Sequence, residues 1–395
     1  MAIPSTRSGR QIPGPLLAGL AGGTAAGLLW VWAHRYGRDR ADQILDWDQI
    51  TAIAIRTSTD SPGMSATVRG RAEHEYSQLL EKISEPLAAY TGTGLKVDTC
   101  EVLALDRPDW IRANVANFRE LLRPFEELYQ ETTQTGRFDL PGVTAVGRLV
   151  LSGEVGVLLG YLARRVLGQY DISLLGAEAP EPGKLYFVEP NILAVESRLG
   201  LPREEFRTWL ALHEATHIHE FEGHPWVRQY MHRTLHDYLQ SMVEHVRDGQ
   251  GLGAFLSRAV DSLWIGGTLL EAVMTPQQQE LVSRVQALMC LLEGYSNHVM
   301  DTVGREMLPH FTEIERRVEQ RSKQRGVAEQ LFLRLTGLQM KMDQYRLGEA
   351  FVNRIGQDRG IAFMNQVWNG PENLPTEQEI REPTQWIARM ERIAA

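Results

Sequence analysis

Five consecutive residues, His213-Glu214-Ala215-Thr216-His217, place two imidazoles and a carboxylate at a spacing suited to holding and using a metal ion. On a helix, residues four apart share a face, so His213 and His217 can direct ring nitrogens at one cation. Glu214 then projects about 100° away. That offset keeps its carboxylate off the ion but within reach of a water held by the ion, whose proton it can take and later pass to a leaving amine. Zinc suits such a donor set and lowers the pKa of its water towards neutrality. The only cysteines, Cys100 and Cys290, form no paired motif, which excludes a thiolate site and a disulfide framework. In a chain with 11 His, His-Glu-x-x-His arises by chance in roughly one case in fifty, so its surroundings must carry part of the argument.

A third donor is needed. The extended pattern, with Gly three and His six residues after the second His, fails because those positions hold Glu220 and Gly223. His224 is one residue out of register. Glu293 is the better candidate, because Val282, Val285, Met289 and Met300 place it on or beside the apolar face of a helix, where an unpaired carboxylate is costly. Asn297 and Asp301 follow along the same stripe and suit a supporting role, hydrogen-bonding a ligating imidazole or Glu293. Pairing of Glu293 with Arg284 or Arg305 is the plainer alternative.

These groups require a helical frame. Pro202, Glu204 and Glu205 open a helix that Gly223 and Pro225 close, so both histidines fall on it. Upstream, Pro108 starts an amphipathic helix carrying Ile111, Val115, Phe118 and Leu122. Residues 142–167 carry few charges and many apolar residues, which predicts a helix central to the core. Lys184 to Val188 reads as one strand, suited to aligning an extended substrate by backbone pairing. Further helices are predicted at about 226–247, 276–303 and 327–354, and the Pro- and Glu-rich tail from Asn369 to Pro383 reads as irregular. The fold class is mainly α with a little β (α+β).

Several segments resemble the bacterial zincin-like metallopeptidase type 2 family. They are Glu189-Pro190-Asn191-Ile192, Ala211 to His217, Trp110 to Val115, Glu293-Gly294 with Val299-Met300-Asp301, Gln344-Tyr345 with Gly348, and Glu372 to Thr376. Together they cover roughly residues 46 to 395, and ordered matches are more specific than one short motif. The resemblance implies a zincin-like core, with the His-Glu-x-x-His helix beside a small sheet and the third ligand on a later helix. It supports His213 and His217 as zinc ligands with Glu214 as base, and raises Glu293 as third ligand. Tyr345, in a segment similar to the family's, is the candidate donor to the oxyanion, with Tyr295 and His298 as fallbacks. The resulting expectation is a zinc-dependent hydrolase acting on peptide or protein. The alternative is a non-catalytic scaffold with structural or lost zinc.

Composition narrows the remaining possibilities. With 43% hydrophobic and 23% charged residues, the chain can bury a sizeable core, and a net charge of −9 without a basic stripe gives no footprint for nucleic acid. Neither a Gly-x-Ser-x-Gly elbow nor a phosphate loop occurs. Residues 1–40 are Gly-rich and apolar, and Leu16 to Ala33 would span about 27 Å as a helix. Residues 12–33 are thus a candidate membrane anchor ahead of a domain at 41–395, and both membrane-anchored and cytoplasmic locations stay open.

Overall fold

A computed structural model describes residues 43, 45–58, 63–134, 145–171, 183–247, 274–323 and 338–394. Along the chain, helices α1 (Trp47–Ser58) and α2 (Ala66–Thr91) precede strand β1 (Val102–Leu105), helices α3 (Arg107–Gln134) and α4 (Ala145–Ala163), and strands β2 (Gly168–Asp171) and β3 (Lys184–Val188). Helices α5 (Glu189–Leu199), α6 (Arg203–Phe221), α7 (Pro225–Arg247), α8 (Pro276–Met307) and α9 (Phe311–Lys323) follow. The chain then forms α10 (Leu338–Arg359), α11 (Ile361–Met364), α12 (Glu377–Arg381) and α13 (Pro383–Ala394). The architecture is mainly α with a small sheet, as the sequence patterning implies.

Local signals fix the two helices that matter most. Pro202 precedes α6, and Glu204 and Glu205 lie in its first turn, where negative charge meets the positive end of the helix dipole. After Phe221 the chain doubles back tightly, and a Cβ at Gly223 would lie 2.3 Å from the carbonyl oxygen of His219. Helix α8 opens with a capping box in which the Thr275 hydroxyl accepts from the Gln278 backbone and the Gln278 side chain accepts from the Thr275 backbone. Residues 12–33 lie outside the described residues, and among the described residues no helix is long and apolar enough to cross a membrane.

The sheet has the order β1-β3-β2, with β1 parallel and β2 antiparallel to β3. Sequence patterning finds only β3, because β1 and β2 are four residues each and owe their existence to pairing with distant chain. β3 is the central strand, so both its edges are used and it cannot align a substrate; that expectation is corrected. Among the described residues, the edge beside α6 belongs to β2 and pairs with no further strand. Val188 N–H donates to the Leu167 carbonyl, and the alternation of an antiparallel ladder then turns the backbone groups of Gly168 and Tyr170 outward.

Two hydrophobic clusters flank the sheet. The larger gathers α2, α6, α8 and α10 around residues such as Leu80, Phe206, Leu291 and Phe351. The smaller joins α1, α3 and α4. Helix α4 is therefore not central to the main core: Leu151 and Val157 are exposed, and its tight contact is with α1, where a Cβ at Gly156 would lie 2.9 Å from that of Ile53. Its apolar composition serves a close helix pair. The tail also departs from expectation, since Pro371–Asn373 forms a 3-10 turn and α12 begins with a capping box between Thr376 and Glu379.

A buried ionic cluster anchors α6 in this frame. The Arg207 guanidinium is fully enclosed and donates to Glu189 at 2.6 and 3.1 Å and to Glu196 at 2.7 Å. Glu189 also accepts from the Tyr76 hydroxyl, and the Tyr76 ring stacks on Phe187 of β3 at 3.8 Å. Helices α2, α5 and α6 and the central strand are thereby locked together, about two turns ahead of His213.

Candidate metal centre and active-site cleft

Helix α6 presents His213 and His217 on one face, their rings edge to face at 5.1 Å between centroids. Glu293, from α8, places Oε2 3.6 Å from His213 Nε2. One donor atom from each of the three residues lies within 4.8 Å of the others. Four-coordinate zinc with bonds of about 2.0–2.1 Å separates its ligand atoms by about 3.3 Å, so modest side-chain adjustment closes this triangle on an ion. The chemistry of the set also fits: two imidazoles and one carboxylate, partly exposed to a cleft, leave room for a further ligand.

Helix α8 reaches this position because of a glycine crossing. A Cβ at Gly294 would lie 2.2 Å from the backbone of Gly348 on α10, and one at Gly348 would lie 1.8 Å from the Cys290 carbonyl oxygen. Only hydrogen at both positions allows α10 to approach α8 this closely, directly beside Glu293.

Behind His217 lies a carboxylate that sequence patterning did not single out. His217 Nδ1 is 2.7 Å from Glu220 Oε2, and the Ser296 hydroxyl donates to Glu220 Oε1 at 3.2 Å and lies 3.2 Å from Nδ1. Glu220 and Ser296 are both buried. With Nδ1 committed to Glu220, Nε2 is the nitrogen left for an ion, the arrangement by which outer carboxylates orient metal-binding imidazoles. Burial pushes Glu220 up to about 7 despite His217, and Glu220 lifts His217 to about 9 although burial works against its charge. The signal for Glu220 was present in the sequence, since it lies three residues after His217 on the same helix; it is the very residue that breaks the extended Gly-and-His pattern. Glu220→Gln should weaken zinc binding about 10- to 100-fold, measured by competition with a chromophoric chelator, with little change in helicity.

Glu214 sits against the edge of β2. It is 7% exposed, and the Tyr170 backbone N–H donates to it. A Cβ at Gly168 would lie 2.6 Å from its carboxylate, so glycine is required for this approach. Burial is the largest influence on Glu214 and raises its pKa, with His213 and His217 acting in opposition. Glu293 is held below the usual carboxylate range, because His213 and His217 outweigh its burial.

The other candidates do not hydrogen-bond the converging donors among the described residues. Asn297 and Asp301 lie further along α8, and neither hydrogen-bonds a site imidazole in the structure; Glu220 occupies that role at His217. Burial, with Glu315 and Glu349, raises Asp301 to about 7 against the opposing pull of Arg305 and of His213, which lies near enough to act on it. The backbone of Tyr345 lies within α10, but its side chain is outside the described residues. Tyr295 is a core residue whose hydroxyl donates to Asn365, and His298 spends both ring nitrogens on Tyr90 and Asn353. Neither fallback is free to meet a substrate.

A cleft of about 420 Å³ opens over the triad. Asn114, Asn117 and Phe118 of α3 form one wall, Gly168 to Tyr170 of β2 a second, and Met289 and Leu292 of α8 a third. The α3 wall is pinned to β2: Trp110 Nε1 donates to Gln169 Oε1 at 2.7 Å, and Gln169 Nε2 donates to Asn114 Oδ1 at 3.2 Å.

An α-helical scaffold with a small sheet, a His-Glu-x-x-His helix and a glutamate from a later helix converging on it defines the zincin-like class. The family profile for zincin-like metallopeptidases matches residues 45–387, and the chain belongs to this family. It is also similar to a crystal structure described as "a putative hydrolase with a novel fold" from Chloroflexus aurantiacus, with 40% identity over 88% of this chain and 99% of that one and a TM-score of 0.63. No curated protein matches the chain.

Proposed function

We propose that the chain is a zinc-dependent peptidase in which His213, His217 and Glu293 hold the ion and Glu214 is the proton carrier. The observation that carries this reading is the approach of Glu293 to His213, 3.6 Å across two helices, beside a buried glutamate. When bound, zinc would supply Lewis acidity towards a carbonyl and towards water. Glu214 accepts the proton of the attacking water and delivers it to the leaving amine, a task suited to a carboxyl whose pKa burial has raised. The outward backbone groups left once the Tyr170 N–H is given to Glu214, those of Gly168 and the Tyr170 carbonyl, align an extended peptide along β2. Tyr345, on the helix that crosses α8 at Gly294, is the proposed donor to the developing oxyanion.

The test is metal analysis of the purified chain together with cleavage of a peptide library before chelation, after it and after zinc is restored. Zinc near one equivalent, with cleavage lost and regained alongside it, supports the reading. One equivalent of zinc with no peptide cleaved sinks it in favour of a scaffold held by metal.

A further inference from the structure

The geometry points to the cleft beside the triad as a side-chain subsite for a bulky apolar residue of the substrate, an inference that rests on the peptidase reading above. The cleft's volume of about 420 Å³ is at the small end for a ligand pocket, enough for one or two side chains and a stretch of backbone. Away from the donor atoms and the polar wall of Asn114, Asn117 and Gln169, its apolar surface is Phe118, Phe221, Met231, Met289 and Leu292. These five residues come from four helices, so the apolar surface is assembled by the tertiary fold and is not one helix's stripe.

Two features distinguish this surface from ordinary core. Phe118 keeps 40% of its surface exposed although its helix is fixed to β2 by the Trp110, Gln169 and Asn114 hydrogen bonds, so an aromatic ring is held at the cleft mouth without a full set of neighbours. Two methionines line the wall, and their unbranched thioethers adapt to aliphatic or aromatic shapes alike. The charge pattern points the same way. None of the described residues lining the cleft is Lys or Arg, whereas Glu214 and Glu293 are both present. Among the described lining residues an acidic side chain would meet no cationic side chain, and it would face two carboxylates. Leu, Met and Phe are therefore accepted, Ala is underfilled, and Asp and Glu are rejected.

The experiment varies one position of a fluorogenic peptide among Leu, Phe, Ala and Asp, using the full zinc-loaded chain. In parallel, the hydroxamates of leucine and aspartate are titrated calorimetrically against the same protein. The expected result is a kcat/KM for Leu or Phe about 10- to 100-fold above Ala, with Asp lower still, and leucine hydroxamate binding at least about tenfold tighter than the aspartate compound. Phe118→Ser should shrink the Leu-to-Ala ratio several-fold while zinc content and thermal midpoint stay unchanged. Equal cleavage of Leu, Ala and Asp peptides overturns the subsite, as does a Phe118→Ser protein that slows every peptide by one factor. If no peptide is cleaved but leucine hydroxamate retains its advantage, the subsite stands and the peptidase reading falls. If the two hydroxamates bind alike, the subsite falls whether or not peptides are cleaved.

Discussion

Glu214→Gln is expected to retain zinc at wild-type stoichiometry and to lose about 10²- to 10⁴-fold in kcat, the range associated with removing a positioned proton carrier. The substitution keeps the shape of the side chain, so Gly168 and the Tyr170 backbone still pack against it. Zinc stoichiometry is expected to hold because Glu214 is offset from His213 and His217 on α6 and is not one of the converging donors. KM should move little, since the cleft walls are untouched. Steady-state kinetics on the best library peptide, read beside zinc content, checks this. Wild-type turnover by the variant would remove Glu214 from the mechanism, and loss of zinc would place it among the ligands instead.

Arg207→Met is expected to be the most destabilising single substitution proposed here, by about 3–5 kcal/mol. It leaves Glu189 and Glu196, at 2% and 8% exposure, with only the longer contacts of the half-exposed Arg203, at 3.9 and 3.8 Å. The cost lies mainly in those abandoned carboxylates. Adding Glu189→Gln and Glu196→Gln to the same protein should therefore recover much of the loss, because the charges left behind are neutralised. Equilibrium unfolding in urea of the single and triple variants tests the argument; a triple variant no more stable than the single one would contradict it. Because the cluster fixes α6 ahead of His213, the single variant should also bind zinc more weakly.

Helix α6 was legible in the sequence because its signals are local: Pro202 with two glutamates at one end, Gly223 and Pro225 at the other, and the His spacing between. Glu293 was legible for a different reason, a charge set on an apolar stripe. The sheet was two-thirds hidden, since Val102–Leu105 and Gly168–Asp171 become strands only beside Lys184–Val188, and no short window of sequence contains that pairing. For the same reason the substrate edge was assigned to β3 when the free edge is that of β2. Glu220 stands where the extended metal-binding pattern has glycine, which masks its role, although helix geometry alone places it beside His217. The placement of α4 failed on composition: a run of apolar residues tells how much surface a helix must bury, but not which neighbour buries it. The short helix α12 shows the opposite error, for the Thr376 and Glu379 box that starts it is local, and the prolines around it obscured the signal.

The glycine crossing of α8 and α10 bears on the order in which the site comes into being. His213 and His217 are neighbours from the moment their helix forms, but Glu293 meets them only after a long loop of chain has closed, and that closure carries an entropic cost. An ion held by all three residues would therefore bind the docked arrangement of α6 and α8 far better than an open one, and its binding energy would be returned as docking energy. Any hydrolytic power of the site would then be withheld during synthesis until its two halves had met, so that a nascent chain carries the motif without the means to use it.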